Sequence, residues 1–313
     1  MRTLSREFMD ALLYGELKEV LQVVRTDDTL SMELRTDYVA IYFRGGNILR
    51  INKMGKHYQP IFDFHYCQHR IRPSIYEPQL WRLQTVSDWI RHMPAMKAEV
   101  DLWRYEHPRR AKEMEQFVCR SNNYSPVANE TDYYIADLLY NSQEIECKAN
   151  MIGIKWPSIP EIRRDRTAPS LVFFELKYGD QNLTGENGLI ENFRNICRCM
   201  EDQKTADLIM DDAESMINQK AELNLLRGMK KSIILNRKVK PEFVLMFLNH
   251  KPSKTALLNA LKDTILEVPE IFEYVDVKVA QASSMGYGLY ESQMIDVRDF
   301  VAKLEENRIH FSL

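Results

Sequence analysis

Apolar positions recur at helical spacing from about Arg6 to Val24, where Phe8, Leu12, Leu17 and Leu21 predict one amphipathic helix. The pattern then shortens. Tyr38-Val39-Ala40-Ile41-Tyr42-Phe43 and Ile48-Leu49-Arg50-Ile51 predict two strands, and Arg44-Gly45-Gly46-Asn47 between them has the glycines of a tight hairpin turn. From Pro78 to Val118 the helical period returns, with Trp81, Leu83, Trp89, Met93, Leu102 and Trp103 as anchors and Pro94 and Pro108 as breaks. A domain boundary is expected near Pro108, giving a mixed α/β region over 1–108 and a second region over 109–313.

In the second region a helix through Lys112 to Val118 precedes a polar loop, Ser121 to Pro126. Three strands follow in close order, at Tyr133 to Tyr140, Glu146 to Trp156 and Leu171 to Tyr178. A short turn centred on Gln143 and Glu144 joins the first two, and a Pro- and Arg-rich loop joins the last two. Helices are predicted around Leu189 to Met200, from Thr205 to Leu226 and from Ser253 to Leu266, with a strand at Phe243 to Leu248 and a mixed tail. The expected class is α/β.

The chemistry concentrates in Leu171-Val172-Phe173-Phe174-Glu175-Leu176-Lys177-Tyr178. A spacing of two puts Glu175 and Lys177 on one face of a strand. An ionised group taken out of water costs several kcal/mol unless it is paired or binds a metal, so the apolar run around them demands an explanation. A plain ion pair, or a strand end emerging beside Gly179-Asp180, is one. A second carboxylate, Asp137, interrupts the apolar strand Tyr133 to Tyr140, and with the turn centred between Gln143 and Glu144 it faces Asn150 across the hairpin.

Thr131-Asp132-Tyr133-Tyr134-Ile135-Ala136-Asp137, Ala149-Asn150-Met151-Ile152-Gly153-Ile154-Lys155-Trp156-Pro157-Ser158 and Phe174-Glu175-Leu176-Lys177-Tyr178-Gly179-Asp180 together resemble the PD-(D/E)XK nuclease superfamily, and within it a group of bacterial proteins. The resemblance implies a restriction-endonuclease-like αβββαβ core and metal-dependent hydrolysis of phosphodiester bonds. It implies Mg2+, or Mn2+, bound by Glu175, Asn150 and Asp137, with Glu175, Lys177, Asn150 and Asp137 as the catalytic set. In such a site carboxylate-bound metal activates water, and the lysine orients that water or neutralises charge on the phosphate. The implied partner is nucleic acid, DNA first, with homodimerisation left open.

Asn150 stands where the superfamily carries its first aspartate. Its amide offers a carbonyl oxygen but no negative charge, which weakens any divalent site. An introduced Asp-to-Asn change, a natural pseudoenzyme and a native site in which Asp137 supplies the carboxylate all account for it. The second reading leads to a non-catalytic nucleic-acid- or protein-binding protein on the same fold. A structural subunit with a buried Glu175–Lys177 pair is a third class.

Arg163, Arg164 and Arg166 lie between the two site strands and are expected to contact the phosphate backbone; the alternative is a solvated charge run. Glu113 and Glu115 on the preceding helix are candidates for an extra acidic ligand, or simply solvated. His65, Cys67 and His69 alternate, so a strand there would gather them on one face. Cys197 and Cys199 point about 200° apart on a helix and read as two ordinary buried thiols. The aromatics Tyr58, Tyr66, Tyr76, Trp81 and Trp89 read as core before base-stacking.

Composition narrows this little further. The formal net charge of -3 gives no global attraction to nucleic acid, so any grip must be local. Five cysteines are too few and too scattered for a disulfide framework, so reduced thiols are expected. No apolar run approaches the roughly 20 residues needed to span a bilayer, and the first residues lack an apolar signal core. The expectation is a cytoplasmic protein.

Overall fold

The computed structural model describes residues 2–142, 145, 147–180, 182–250, 255–281 and 286–310. The chain divides into two compact units, Met1–Ala128 with Ser215–Ser232, and Asn129–Glu214 with Ile233–Leu313. It is a mixed α/β protein with one open sheet in each unit.

In the first unit the predicted opening helix is two, α1 (Arg6–Leu13) and α2 (Lys18–Thr26). Ser5 caps α1, its hydroxyl accepting from the Phe8 amide at 3.3 Å. The chain then turns at Tyr14-Gly15, where the Gly15 and Leu17 amides both donate back to the Ala11 carbonyl. This turn directs two short apolar faces, Phe8, Met9 and Leu12 on one helix and Val20, Leu21 and Val24 on the other, into one core.

Strands β1 (Leu30–Leu34), β2 (Tyr38–Phe43), β3 (Gly46–Met54) and β4 (His57–Ile61) form an antiparallel sheet in that order. The predicted β2–β3 hairpin is present. Its turn places Arg44 and Gly45 at φ 48° and 67°, the consecutive left-handed pair of a primed turn. Only glycine fits at 45, because an added Cβ would lie 2.4 Å from the Lys112 carbonyl carbon.

Helices α3 (Glu77–Leu80), α4 (Val86–Arg91), α5 (Met93–Glu106) and α6 (Arg110–Asn123) follow. The break at Pro108 merely separates α5 from α6, and both belong to the first unit. On α6, Gln116 donates to the Thr29 and Tyr42 carbonyls at 3.1 and 2.8 Å and accepts from the Gly45 amide at 2.7 Å. The first unit therefore extends to Ala128, twenty residues past the expected boundary.

Its core also holds an ion pair. Lys220 Nζ lies 2.9 Å from Glu33 Oε2, both side chains fully buried, with the Cys119 thiol 3.8 Å from the other carboxylate oxygen. Burial pushes that thiol's pKa well up.

The second unit carries β5 (Tyr133–Ser142), β6 (Cys147–Lys155), α7 (Pro160–Arg164), β7 (Ser170–Tyr178), α8 (Leu189–Glu201) and α9 (Gln203–Glu222), whose last turns fall in the first unit. After these come β8 (Glu242–Leu248), α10 (Thr255–Glu267), α11 (Ile271–Tyr274), β9 (Asp276–Ala280), β10 (Met294–Asp296) and α12 (Val297–His310). The sheet order is β10-β9-β8-β7-β6-β5. Strands β5, β6 and β7 form an antiparallel meander, β8 and β9 run parallel to β7, and β10 closes the sheet antiparallel.

Central β7 is buried from Ser170 to Lys177, as its unbroken apolar run requires of a strand covered on both faces. Helix α8 packs on β6, with α10 and α11 against α8.

Candidate functional site

Glu175 and Lys177 project from β7 two positions apart and touch each other, Lys177 Nζ to Glu175 Oε1 at 2.8 Å. Lys177 also donates to the Asn187 carbonyl at 2.6 Å and to Asn192 Oδ1 on α8 at 2.7 Å. An ammonium has three donors and no acceptor, so these three oxygens saturate it. To act as a base Lys177 would first have to give up one of them. The geometry suits it to the role of a fixed cation.

Asn150 is half-buried on β6, one residue beyond the last β6–β7 pair, Met151↔Phe174. Its amide nitrogen donates to the Leu176 carbonyl at 3.4 Å. Asn150 and Glu175 both line an open cavity of about 420 Å³. Leu139, Tyr140, Asn141, Lys148 and Ala149 wall one side, and Glu186, Asn187, Glu191, Asn192, Asn195 and Arg198 the other. The Tyr140 hydroxyl is fixed by Asp212 Oδ2 at 3.0 Å.

Asp137 lies elsewhere than expected. It pairs with Ile152 rather than Asn150, because the last hairpin pair is Ser142↔Cys147, and that register, unbroken back to Asp137, puts each partner two residues further along β6 than the assumed turn does; the bulge at Ala136 lies beyond Asp137. The presumed turn centre, Gln143 and Glu144, lies outside the described residues. Asp137 is fully buried, and β5 contributes Leu139 to Asn141 to the cavity wall.

The arginine loop is also displaced from the site. It joins the end of β6 to the start of β7, whereas Asn150 and Glu175 sit toward the opposite ends of those strands; five residues of strand separate Glu175 from Ser170, about 17 Å. Arg163 is committed internally, donating to the Pro157 and Thr131 carbonyls and the Tyr134 hydroxyl at 3.0, 2.6 and 2.9 Å, and stacking over Tyr134 and Trp156. Arg164 and Arg166 are exposed at that same far end. In their place the cavity has Lys148 and Arg198 as cations.

Glu113 and Glu115 are buried, not solvated, and pair with Arg44 and Arg110 and with Lys112 respectively, all in the first unit. The segment Phe64–Cys67 is a 3-10 turn, which removes the strand alternation of His65, Cys67 and His69. His69 Nε2 instead contacts Glu99, which also accepts from Ser74 Oγ at 2.6 Å. Cys199 is not a free thiol: it forms a disulfide with Cys147, 52 residues earlier. That corrects the expectation of reduced cysteines throughout. Cys67, Cys119 and Cys197 are free and buried, and burial pushes the Cys67 and Cys197 thiols up to about 12.

Sequence reading missed Asn187, Asn192 and Asn195. Their only signal was an amide-rich stretch following Glu-x-Lys, and on a helix such residues ordinarily mark the solvent face.

Comparison with protein-family models, with curated proteins and with solved structures gives no match. No helix among the described residues is long and apolar enough to cross a membrane.

Proposed function

We propose that the second unit is a PD-(D/E)XK-type nuclease core whose cavity engages the phosphodiester backbone of nucleic acid, DNA in the first place. The observation that carries this reading is the placement of Glu175 on the central strand, bonded to Lys177 and opening with Asn150 onto a polar cavity. The order of elements supports it too: an antiparallel three-strand meander, a helix on its face and a parallel fourth strand. The helix that would begin an αβββαβ core packs instead in the first unit.

The donor set fits a divalent ion that arrives with substrate. Mg2+ is commonly held by one or two carboxylates plus substrate phosphate and water. Here Glu175 offers the carboxylate and Asn150 an amide oxygen, and the polar cavity has room for water. When bound, the ion would activate water and stabilise charge on the phosphate. Lys177, locked by Asn187 and Asn192, presents a fixed positive charge to the developing oxyanion. Lys148 and Arg198 on the walls attract the backbone.

Asn150 holds the activity down, because an amide replaces a charge beside the ion. Restoring the charge is the test. Asn150→Asp should cleave circular or linear DNA at least ~100-fold faster than the unchanged chain in Mg2+ or Mn2+, with cleavage abolished by chelator and by a further Glu175→Ala change. Silence of Asn150→Asp in both metals, with nucleic-acid binding persisting in chelator, would replace hydrolysis by metal-free binding. That second reading has its own support, since Lys177 already neutralises Glu175 without a metal.

A further inference from the structure

Helix α8 meets the candidate site along a single stripe. Asn192, Asn195 and Cys199 are spaced i, i+3, i+7 and therefore share one helix face. Each reaches a site strand. Asn192 accepts from Lys177 on β7, Asn195 donates to the Lys148 carbonyl on β6, and Cys199 is bonded to Cys147, the first residue of β6.

The β6–β7 ladder runs from Lys155↔Ser170 to Met151↔Phe174. The segment from Cys147 to Asn150 extends past its end, held on one side by pairing to β5 and on the other by α8 through Asn195 and the disulfide. The covalent bond lies three residues from Asn150 and two helical turns from Asn192. It joins the two walls of the cavity.

We propose that the Cys147–Cys199 bond is a thiol–disulfide control on this site, with Asn192 as the positioning residue through which it acts on Lys177. Oxidised, the bond pins the α8 stripe to the start of β6 and keeps Asn192 on the lysine. Reduced, the Cys147–Asn150 segment separates from α8, and Lys177 loses the acceptor that fixes its direction. Of the five cysteines, only these two are bonded across the β6 and α8 walls; Cys67 and Cys119 lie in the first unit, and Cys197 lines a neighbouring pocket on α8.

The chemistry requires a dithiol. Its thiolate attacks one sulfur, the S–S bond breaks through a mixed disulfide, and the reductant closes to its own disulfide. Two electrons and two protons end on Cys147 and Cys199 as thiols. An oxidised dithiol reverses the step. Both cysteines are buried, so exchange waits on local opening and the control is slow.

The inference concerns the site of the proposed nuclease reading, but its test uses no cleavage assay, so either can fail alone. The intact chain is equilibrated with oxidised or reduced dithiothreitol and followed by amide hydrogen exchange and by acylation of Lys177 with a succinimidyl ester. Reduction should add 2 Da, speed exchange over residues 147–151 and 192–199 at least ~10-fold, and raise Lys177 acylation several-fold. Exchange in β1 to β3 should stay unchanged. Asn192→Ala in the oxidised chain should raise acylation of Lys177 while leaving exchange over 147–151 as it was. Cys147→Ser with Cys199→Ser should match the reduced form whether or not dithiol is present; if that variant does not fold, the dithiol titration of the unchanged chain decides. Unchanged exchange and acylation on reduction, loss of protection throughout the chain, or two free thiols after full oxidation would each overturn the proposal.

Discussion

Each unit contains a buried lysine–carboxylate pair of nearly the same length, Glu33–Lys220 at 2.9 Å and Glu175–Lys177 at 2.8 Å. The first is sealed at 0% exposure on both sides, with the Cys119 thiol against its carboxylate. The second is 6% and 5% exposed, and its carboxylate opens onto a polar cavity. That small difference separates an internal strut from a candidate site. A sealed pair cannot turn to water when one member is removed. A pair beside a cavity can exchange its partner for water, a phosphate or an ion.

The comparison breaks most sharply under truncation. Lys220→Ala should cost about 3–5 kcal/mol in denaturant unfolding, because it removes the cation paired with a fully buried carboxylate. Lys177→Ala should cost less, under about 2 kcal/mol, since water from the cavity reaches Glu175. Equal losses at the two sites would show that the cavity does not solvate Glu175 and would remove the distinction. Replacing both members of the sealed pair with apolar residues, Glu33→Leu with Lys220→Met, should bring the loss back to within about 1 kcal/mol of the unchanged chain.

The smallest expected effect concerns the free thiols. Cys67 and Cys197 carry pKa values pushed up to about 12 by burial, so at pH 8 only about one in ten thousand of either is thiolate. Native protein should therefore resist alkylation for hours and react only on unfolding. Reaction within minutes would place one of these thiols at an opening instead.

The two pairs also differ in how far the sequence disclosed them. Glu175 and Lys177 stand out because two charges interrupt one apolar run, and the strand period alone puts them together. Glu33 and Lys220 are 187 residues apart, and nothing local in Leu30-Ser31-Met32-Glu33-Leu34 marks that strand as buried on both faces. The meander β5 to β7 was legible from its apolar runs and the hairpin from its glycines. The register at Asp137 was not, since moving the hairpin's centre by one residue moves every partner by two, and the polar residues after Tyr140 do not mark where the last pair, Ser142↔Cys147, falls. The arginine loop was misplaced for a topological reason: an antiparallel hairpin puts its loop at the far end of the strands from residues near the other terminus. Strand β4 was missed because His57-Tyr58-Gln59-Pro60-Ile61 is an edge strand with Pro60 in it and exposed residues at both ends.

The first unit is discontinuous, closed only by Ser215–Ser232. During synthesis at roughly 5–20 residues per second, Glu33 leaves the ribosome about 10–40 s before Lys220. Over that interval the N-terminal unit has its strands and its carboxylate but not the cation that allows the carboxylate to be sealed. A nascent chain paused anywhere between Ala128 and Lys220 should thus be protease-sensitive in its first hundred residues, and a fragment ending at Ala128 should remain so permanently.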